Sequence, residues 1–311
     1  MIVVPALHPA HDVIVRIDAL SPGFVHRARP DATRTGVGGK AVNVALAIAA
    51  MDVPVRLIVC GDAALLDGLD EHAANHPQLE LVRVRSPVST RTDIAIIDDD
   101  GRLTVINATA ADPGPDVVDA VIAKTVDGLA AGDVLVLAGS TPDGTGRAHV
   151  AMSVAARDRG VHVVVDASGS ALDGLLETRP QAVKVSVDEA LELGDTRDAS
   201  TDAGRPGRLA EVPIVGITDG AAGLRAWLPD GRAMHVTPPP SLAVVATLGA
   251  GDAVTAGLAI ALARGDDPLD GFVLGTAMAA STLDHLDPSV DRVAAERLRG
   301  AVRVGPLRSR R

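Results

Sequence analysis

Short, unbroken apolar segments alternate with longer helical patterns along most of this chain of 311 residues. Val134–Leu137 and Val163–Val165 are continuously apolar, which is typical of strands in a parallel sheet that is covered on both faces. Because helical patterns separate these segments, the sequence predicts a doubly wound α/β fold with a mostly parallel central sheet. The predicted strands are Arg56–Cys60, Leu79–Val84, Asp133–Leu137, Val161–Val165, Ala182–Val185 and Val212–Ile217, and the predicted helices are Lys40–Met51, Pro115–Leu129, Arg147–Arg159, Ala171–Glu177 and Val187–Leu193.

Two regions interrupt this alternation. The first, Asp12–Arg34, contains the alternating segment Val13–Ile17 and then an irregular stretch. The second, Thr90–Asn107, has the pattern of a β-hairpin with an acidic turn at residues 98–101. Together they predict a small sheet off the main body, a lid formed roughly by residues 12–35 and 88–108, with a surface hairpin of no special role as the alternative. Thr196–Arg208 is polar and contains glycine, so it is predicted to be a flexible loop.

The composition argues against several classes of protein. The formal net charge is −11, so the chain has no general attraction for nucleic acid or anionic lipid. With two Phe, one Trp and no Tyr, it also lacks the aromatic side chains that stack on nucleobases. The single cysteine, Cys60, lies in an apolar segment and is expected to be an inert core thiol. No secretory leader or membrane span is expected, so a cytoplasmic location is the default.

The segment Thr247–Ala253 carries the strongest functional signal. It follows the apolar run Leu242–Ala246, which is predicted to be a strand, and it opens an apolar helical stretch, Ala253–Ala263. Glycines at a helix N-terminus allow backbone N–H groups to approach an anion such as a phosphate. A carboxylate in the same turn repels anions, so Asp252 is better explained as a base that takes a proton from an attacking hydroxyl.

Gly36–Ala41 is a second glycine-rich segment, and it leads into the apolar stretch that follows Lys40. It does not fit a nucleoside-triphosphate P-loop, because Arg34 stands at the first glycine position and Ala41 replaces the final Ser or Thr. Its glycines still allow close backbone approach, so Lys40 is a candidate for contacting an anion or a hydroxyl at a helix start. Asn43 interrupts an otherwise apolar helix one turn later. A glycine turn before a core helix is the alternative.

Weaker candidates follow other predicted strands. The turn Thr218–Gly223 is a candidate for nucleotide contact or a plain turn. Lys184 and Glu189 are candidates for phosphate and for Mg²⁺-bound water, or for a solvated ion pair. Asp12 is suited to holding two sugar hydroxyls, and the neighbouring His8 is interpreted, like His11, as an ordinary loop histidine.

Taken together, these segments resemble the ribokinase-like (PfkB) family of carbohydrate kinases, and most closely its 1-phosphofructokinase and tagatose-6-phosphate kinase branch. The resemblance runs over nearly the full length in the same order. It rests on Leu7–Asp12 (N-P-A-x-D), Gly38–Ala45 (G-K-G-x-N-V-A), Ser89–Arg91 (T-R-x-N), Ala138–Pro142 (S-G-S-L-P), and Val236–Pro240 followed by Thr247–Asp252 (P-P…T-x-G-A-G-D).

The resemblance implies a single domain over residues 1–311, a three-layer α/β/α sandwich with a small β-sheet lid that often also forms a dimer contact. It implies transfer of the γ-phosphoryl group of ATP, with Mg²⁺, to a hydroxyl of a sugar or sugar phosphate. The roles it implies are Asp252 as catalytic base; Gly249, Ala250 and Gly251 as anion hole; Asp12, Gly39, Lys40, Asn43, Arg91 and Asn107 as acceptor contacts; Lys184, Thr218, Gly220, Gly223 and Thr247 as nucleotide contacts; and Glu189 as a residue near Mg²⁺.

The chain departs from the family pattern at a few positions. Ala41 stands at the second glycine of the first motif, and Ser186 stands at the Asn of N-x-x-E. Asp93 stands where the branch has Asn, and Ala95 stands where a lid lysine is expected. The acceptor therefore stays open between a sugar phosphate, an unphosphorylated sugar and another small alcohol. A ligand sensor without catalytic activity on the same scaffold is the alternative from another functional class.

Overall fold

The fold was determined as a computed structural model, which describes residues 1–193, 207–240 and 244–307. The predicted flexible loop Thr196–Arg208 lies outside the described residues except for its last two, which begin a short 3₁₀ turn, Gly207–Leu209. Residues 242 and 243 of the predicted strand before Thr247 also lie outside them. The remaining part of that segment, residues 244–246, is not a strand, so this prediction was wrong where it can be compared.

A large, mostly parallel sheet organises the molecule. In the described part of the chain it has ten strands, in the order β14-β13-β12-β11-β10-β9-β8-β1-β4-β5. The strands from β5 to β11 in this order are parallel, and β12, β13 and β14 add to one edge in antiparallel fashion. Their bounds are β1 Ile2–Ala6, β4 Val55–Gly61, β5 Leu79–Arg85, β8 Val134–Ala138, β9 His162–Asp166, β10 Ala182–Ser186, β11 Ile214–Thr218, β12 Leu224–Trp227, β13 Ala233–Thr237 and β14 Arg303–Pro306.

Helices cover both faces of this sheet, as the predicted three-layer sandwich requires. Their bounds are α1 Lys40–Ala50, α2 Ala63–Asn75, α3 Pro115–Asp127, α4 Arg147–Arg157, α5 Gly169–Leu176, α6 Val187–Glu192, α7 Ala250–Arg264, α8 Pro268–Ser281 and α9 Arg292–Arg299. Helices α1, α2, α7, α8 and α9 pack on one face, and α3 to α6 pack on the other. None of the helices in the described ranges combines the length and apolar character needed to cross a membrane.

The first strand shows why these strands are apolar throughout. Ile2 and Val4 of β1 pack into the core on the α1 and α7 side, whereas Val3 packs into the core on the α3 and α4 side. All three side chains are almost completely buried, so neither face of the strand can accept a polar residue. The mostly parallel sheet predicted from the sequence is therefore confirmed.

A separate small sheet stands beside the main one. It consists of β2 Ala10–Ile17, β3 Thr33–Gly38, β6 Arg91–Asp98 and β7 Leu103–Ile106, in the order β3-β2-β6-β7. Strands β6 and β7 form the predicted antiparallel hairpin, and β2 pairs with β6 in parallel. Strand β3 was not predicted, because its glycines and polar residues resemble a turn. Its three central residues, Arg34, Thr35 and Gly36, are exposed, so packing imposes little apolar pattern on it.

Other elements also escaped the sequence analysis. Helix α2 mixes acidic and histidine residues with its three buried leucines, so its apolar stripe is narrow. The short edge strands β12, β13 and β14 contain arginine, histidine or glycine and lie at the antiparallel end of the sheet. Cys60, by contrast, is buried as expected, and burial raises the pKa of its thiol to about 11.

One buried histidine makes the fold sensitive to acid. His149 of α4 is fully buried, and neither ring nitrogen has a hydrogen-bond partner in the described structure. Burial lowers the pKa of its ring to about 4, against 6.5 in an unfolded chain, so protons favour the unfolded state. The neutral His149 ring therefore contributes fully to the free energy of unfolding above pH 6.5. We expect up to about 3 kcal/mol of this free energy to be lost as the pH falls towards 4.

The variant His149→Leu removes this titration. In urea unfolding experiments at pH 7.5 and pH 5, we expect the variant to lose less free energy of unfolding than the wild type between the two pH values. The matched control is His26→Leu, because His26 is exposed in the loop after β2. Equal pH dependence in wild type and His149→Leu would contradict the prediction.

Candidate active site

A cavity of about 1210 Å³ lies between the small sheet and the carboxyl ends of the central strands. Ligands of open parallel sheets usually bind at this end of the strands. All residues that the sequence analysis selected for a site line this one cavity, although they lie far apart in the chain. They are Asp12, Gly39, Lys40, Asn43, Arg91, Asn107, Lys184, Glu189, Thr218, Gly220, Gly223, Thr247, Gly249, Ala250, Gly251 and Asp252.

The N-terminus of α7 points into the middle of the cavity. Gly249 caps the helix with a left-handed backbone (φ 73°), and a side chain there would collide with the ring of Pro288. The N–H of Ala250 donates to the carbonyl of Thr247 over 3.3 Å, so it is partly engaged. The first turn of a helix leaves further N–H groups without helical acceptors, and these carry the positive end of the helix dipole.

Asp252 lies in this first helical turn and is 7% exposed. Its Oδ2 accepts a hydrogen bond of 2.9 Å from Nδ2 of Asn43, at the first turn of α1. Burial raises the pKa of Asp252 to about 6, and the nearby carboxylate of Asp166 adds to this shift. The side chain is thus a carboxylate near neutral pH that binds protons more readily than an exposed aspartate.

Asp166, which supports the candidate site from beneath, was not selected from the sequence. It ends β9, is fully buried, and accepts from Lys184 Nζ over 2.7 Å and from Lys40 Nζ over 3.2 Å. The hydroxyl of Thr255 donates a third bond of 2.6 Å. Burial alone would raise the pKa of Asp166, but the two ammonium groups outweigh it and hold the pKa below its usual range.

The alternative of a solvated Lys184–Glu189 ion pair was wrong. Lys184 is 3% exposed and pairs with Asp166. A side chain added at Gly251 would come within 3.3 Å of Lys184 Nζ, so the ammonium group lies beside the first turn of α7. A buried ammonium group next to a helix N-terminus is an arrangement that favours anions locally, even in a chain whose overall charge is negative.

Glu189 is held by two different contacts. Its Oε1 accepts a 2.9 Å bond from Lys40 Nζ, and its Oε2 accepts a 2.8 Å bond from the N–H of Ser186. The hydroxyl of Ser186 in turn accepts from the N–H of Glu189, which completes a capping box at the start of α6. Serine therefore replaces the family asparagine without loss of the cap, because both are good N-cap residues.

The strand β11 leads to the far end of the cavity. Thr218 is its last residue, and a 3₁₀ turn at Gly220–Ala222 connects it to β12. At Gly223 the backbone is left-handed (φ 97°), and a side chain would lie 2.3 Å from the carbonyl of Val236 on β13. Only glycine lets the turn pack this closely. Apolar residues complete this end of the cavity, among them Val244, Ala279, Ala280 and Leu283.

The small sheet forms the opposite end of the cavity. Asp12 of β2 lies opposite Asp93 of β6 in the parallel register, and its carboxylate fills the space where Gly38 has no side chain. Burial and the charge of Asp93 raise the pKa of Asp12 to about 6. The guanidinium of Arg91 pairs with Asp93 at 2.8 Å.

His8 belongs to this site, contrary to its interpretation as an ordinary loop histidine. It lines the cavity, and its Nδ1 lies 2.7 Å from the hydroxyl of Ser140. Burial and the charge of Arg91 lower the pKa of His8 to about 4, so the ring is neutral at pH 7. His11 lies apart from it, with Nε2 3.4 Å from Asp62 at the start of α2.

Comparisons with known proteins identify the class to which this fold and cavity belong. Residues 12–291 match the pfkB family carbohydrate kinases. A 1-phosphofructokinase of Rhodobacter capsulatus is 33% identical over 306 residues, which cover 93% of both chains. A 1-phosphofructokinase of Xanthomonas campestris pv. campestris is 30% identical, covering 82% of both chains. The chain therefore belongs to the PfkB family of carbohydrate kinases and is a phosphotransferase.

Solved structures support the same fold. The phosphofructokinase-2 of Escherichia coli, in complex with substrates and products, superimposes with a TM-score of 0.85 at 20% identity, covering 96% of this chain and 98% of that one. The ribokinase of Arabidopsis thaliana, complexed with ribose and ATP, gives a TM-score of 0.72 at 20% identity with the same coverage. At this identity the likeness establishes the ribokinase-like architecture alone.

Proposed function

We propose that this kinase transfers the γ-phosphoryl group of ATP to a hydroxyl of a sugar or sugar phosphate, with Asp252 as the base. The observation that carries the proposal is the position of Asp252. A buried carboxylate lies in the first turn of α7, where free amide groups and Lys184 attract phosphate. A carboxylate at this point is unfavourable for phosphate binding alone, and its role is explained if it removes a proton.

The reaction needs positioning and charge neutralisation more than covalent chemistry by the protein. Asp252 takes the proton of the acceptor hydroxyl as its oxygen attacks the γ-phosphorus, and ADP leaves. Asn43 fixes the orientation of the carboxylate through its 2.9 Å bond to Oδ2. The negative charge that spreads over the transferred group lies against the amides of Gly249 and Gly251 and the ammonium group of Lys184.

The residues around Lys40 fit a Mg²⁺ ion that arrives with the nucleotide. In the described ranges no group of three or more His, Cys, Asp and Glu side chains is arranged to hold a metal. Mg²⁺ often binds through one or two carboxylates together with substrate phosphates, and Glu189 supplies such oxygens in the wall of the cavity. When bound, the ion would neutralise charge on the phosphates, and Glu189 would help to hold it.

We assign the nucleotide to the end of the cavity formed by Thr218, Gly220, Gly223 and Thr247, and the acceptor to the end formed by the small sheet. The small sheet would act as a lid over the acceptor, which Asp12, Gly39, Lys40, Asn43, Arg91 and Asn107 would contact. The lid is also the surface through which we expect a homodimer to form. A related Escherichia coli phosphofructokinase-2 has been described in a tetrameric inhibited form.

A coupled assay of ADP release over a panel of hexoses, pentoses and their monophosphates tests the proposed reaction. We expect Mg²⁺-dependent turnover of at least one acceptor by the wild type. The variant Asp252→Asn serves as the control for contaminating kinases. Tight sugar binding without turnover of any acceptor would contradict the proposal and favour a ligand sensor.

The raised pKa of Asp252 predicts the pH dependence of the reaction. The base works only when deprotonated, so kcat should be constant above pH 7 and fall towards tenfold per pH unit below about pH 6. The pKa of Asp12 is also raised to about 6, so its protonation could change the affinity for the acceptor in the same pH range. Because kcat is measured at saturating acceptor, such a change in affinity does not affect it. A kcat that stays constant down to pH 5, in an enzyme that remains folded, would contradict the assignment.

A further inference from the structure

The positive charges that line the cavity are unevenly distributed. Among the described lining residues, four carry a permanent positive charge, namely Lys40, Arg91, Lys184 and Arg303. Lys40 and Lys184 are bound to Asp166 beneath the middle of the cavity. Arg303 lies on β14, which pairs with β13 at the nucleotide end. Lys40, the other proposed acceptor contact with a positive charge, is already paired with Asp166 and Glu189. Arg91 is therefore the one permanent cation that the small sheet offers among the described lining residues.

Arg91 is already engaged by an acidic partner. Its Nη1 lies 2.8 Å from the carboxylate of Asp93, and both side chains are about nine-tenths buried. The N–H of Ala108 donates a 3.0 Å bond to Asp93, which holds the carboxylate in place beside the guanidinium. The pair is an internal ion pair, so the charge of Arg91 is compensated before any acceptor enters.

A second carboxylate makes this end of the cavity net negative. Asp12 lies directly opposite Asp93 in the register of β2 and β6, and both line the cavity. Because the two carboxylates are register partners, the charge of Asp93 adds to the effect of burial in raising the pKa of Asp12. His8 is neutral here, and Asn107 and Ser140 are uncharged. Two acidic groups thus face one basic group.

We infer that Asp93 is a specificity residue that directs this kinase to an acceptor sugar without a phosphate group. The inference rests on the proposed function and narrows its acceptor class. A phosphate brought to this end would meet two carboxylates, and it would have to displace Asp93 from Arg91. Juxtaposed like charges are an effective way to exclude a wrong ligand. An uncharged sugar meets no such cost, because carboxylates accept hydrogen bonds from hydroxyl groups.

Equilibrium binding separates this inference from the proposed reaction. We would measure by calorimetry, with MgADP present, the Kd of the panel sugars and of their monophosphates. The proteins would be wild type, Asp93→Asn and the matched control Asp98→Asn. Asp98 lies on the same strand, β6, and pairs with Arg102, but it does not line the cavity. Thermal unfolding would verify that each variant is folded.

We expect the wild type to bind a sugar at least about tenfold more tightly than its monophosphate. Asp93→Asn should shift this ratio towards the monophosphate by at least about tenfold, whereas Asp98→Asn should leave it unchanged. Preference of the wild type for a monophosphate, or an unchanged ratio in Asp93→Asn, would overturn the inference. If Asp93→Asn does not fold, Asp93→Ser is measured in its place. Turnover is assayed separately from binding. A protein that binds sugars but turns over no acceptor would contradict the proposed reaction, while its measured Kd values would still test the binding preference.

Discussion

Replacing Asp252 with Asn should lower kcat by at least ~10²–10⁴-fold, because the amide cannot accept the proton of the attacking hydroxyl. The substitution changes little else in the site. An amide oxygen at position 252 can still accept the hydrogen bond from Asn43, so the local geometry should be preserved. Affinity for nucleotide and acceptor, measured by calorimetry, should stay within a few-fold of the wild type.

The same substitution should stabilise the folded protein. The pKa of Asp252 is raised from 3.8 to about 6, so the folded state disfavours the charged carboxylate, and this cost is fully present above pH 6. Removing the charge should raise the free energy of unfolding at pH 7 by about 1–3 kcal/mol. The expected signature is thus an inactive, more stable enzyme. A variant that is both inactive and less stable would show that Asp252 has a structural role instead.

Replacing Asp166 with Asn should have the opposite effect on stability. Its carboxylate compensates Lys184, which is 3% exposed, and Lys40. Loss of the negative charge leaves a buried ammonium group without its carboxylate, which typically costs about 3–5 kcal/mol. We expect a loss of this size in urea unfolding at pH 7, together with loss of activity.

A double variant distinguishes the charge from the volume of the Asp166 side chain. Replacing Asp166 with Leu and Lys184 with Met removes both charges and fills the space with apolar groups. Buried ion pairs replaced in this way are often as stable as the original. We expect stability to recover while activity stays absent, because Lys184 also belongs to the proposed phosphate site. If the double variant is as unstable as Asp166→Asn, then loss of packing rather than an uncompensated charge explains the single variant.

Residues of the candidate site could be predicted from the sequence where the local chemistry is unusual. A carboxylate and glycines at the start of an apolar helix, as at Asp252, conflict with a purely structural role and can be recognised without coordinates. Asn43 is similar, because an amide interrupts an otherwise apolar helix. Asn43 and Asp252 are far apart in the chain, and the fold brings their side chains within hydrogen-bond distance. The main sheet was also predictable, because strands buried on both faces must be apolar throughout.

What was missed depends on contacts between distant segments. Asp166 ends an apolar strand, as surface aspartates often do, and nothing nearby in the sequence shows that it lies between Lys40 and Lys184. A carboxylate at the end of a continuously apolar segment was the signal available. Strands β12 to β14 were missed for a related reason. They lie at the antiparallel end of the sheet and are only four or five residues long, and the arginine, histidine or glycine in each leaves a weak apolar pattern.

If the small sheet binds the acceptor as proposed, its attachment separates much of acceptor recognition from the chemical step. Asp12, Arg91 and Asp93 lie on β2 and β6 of one sheet, whereas Asp252 lies on α7 of the main body. The small sheet joins that body through a few connecting segments, among them Leu7–Pro9 and Ser86–Thr90. In the proposed function, a tilt of the sheet about these segments would move the bound sugar towards or away from Asp252. Substitutions in Ser86–Thr90, which lies outside the cavity lining, should therefore alter turnover more than affinity for the sugar.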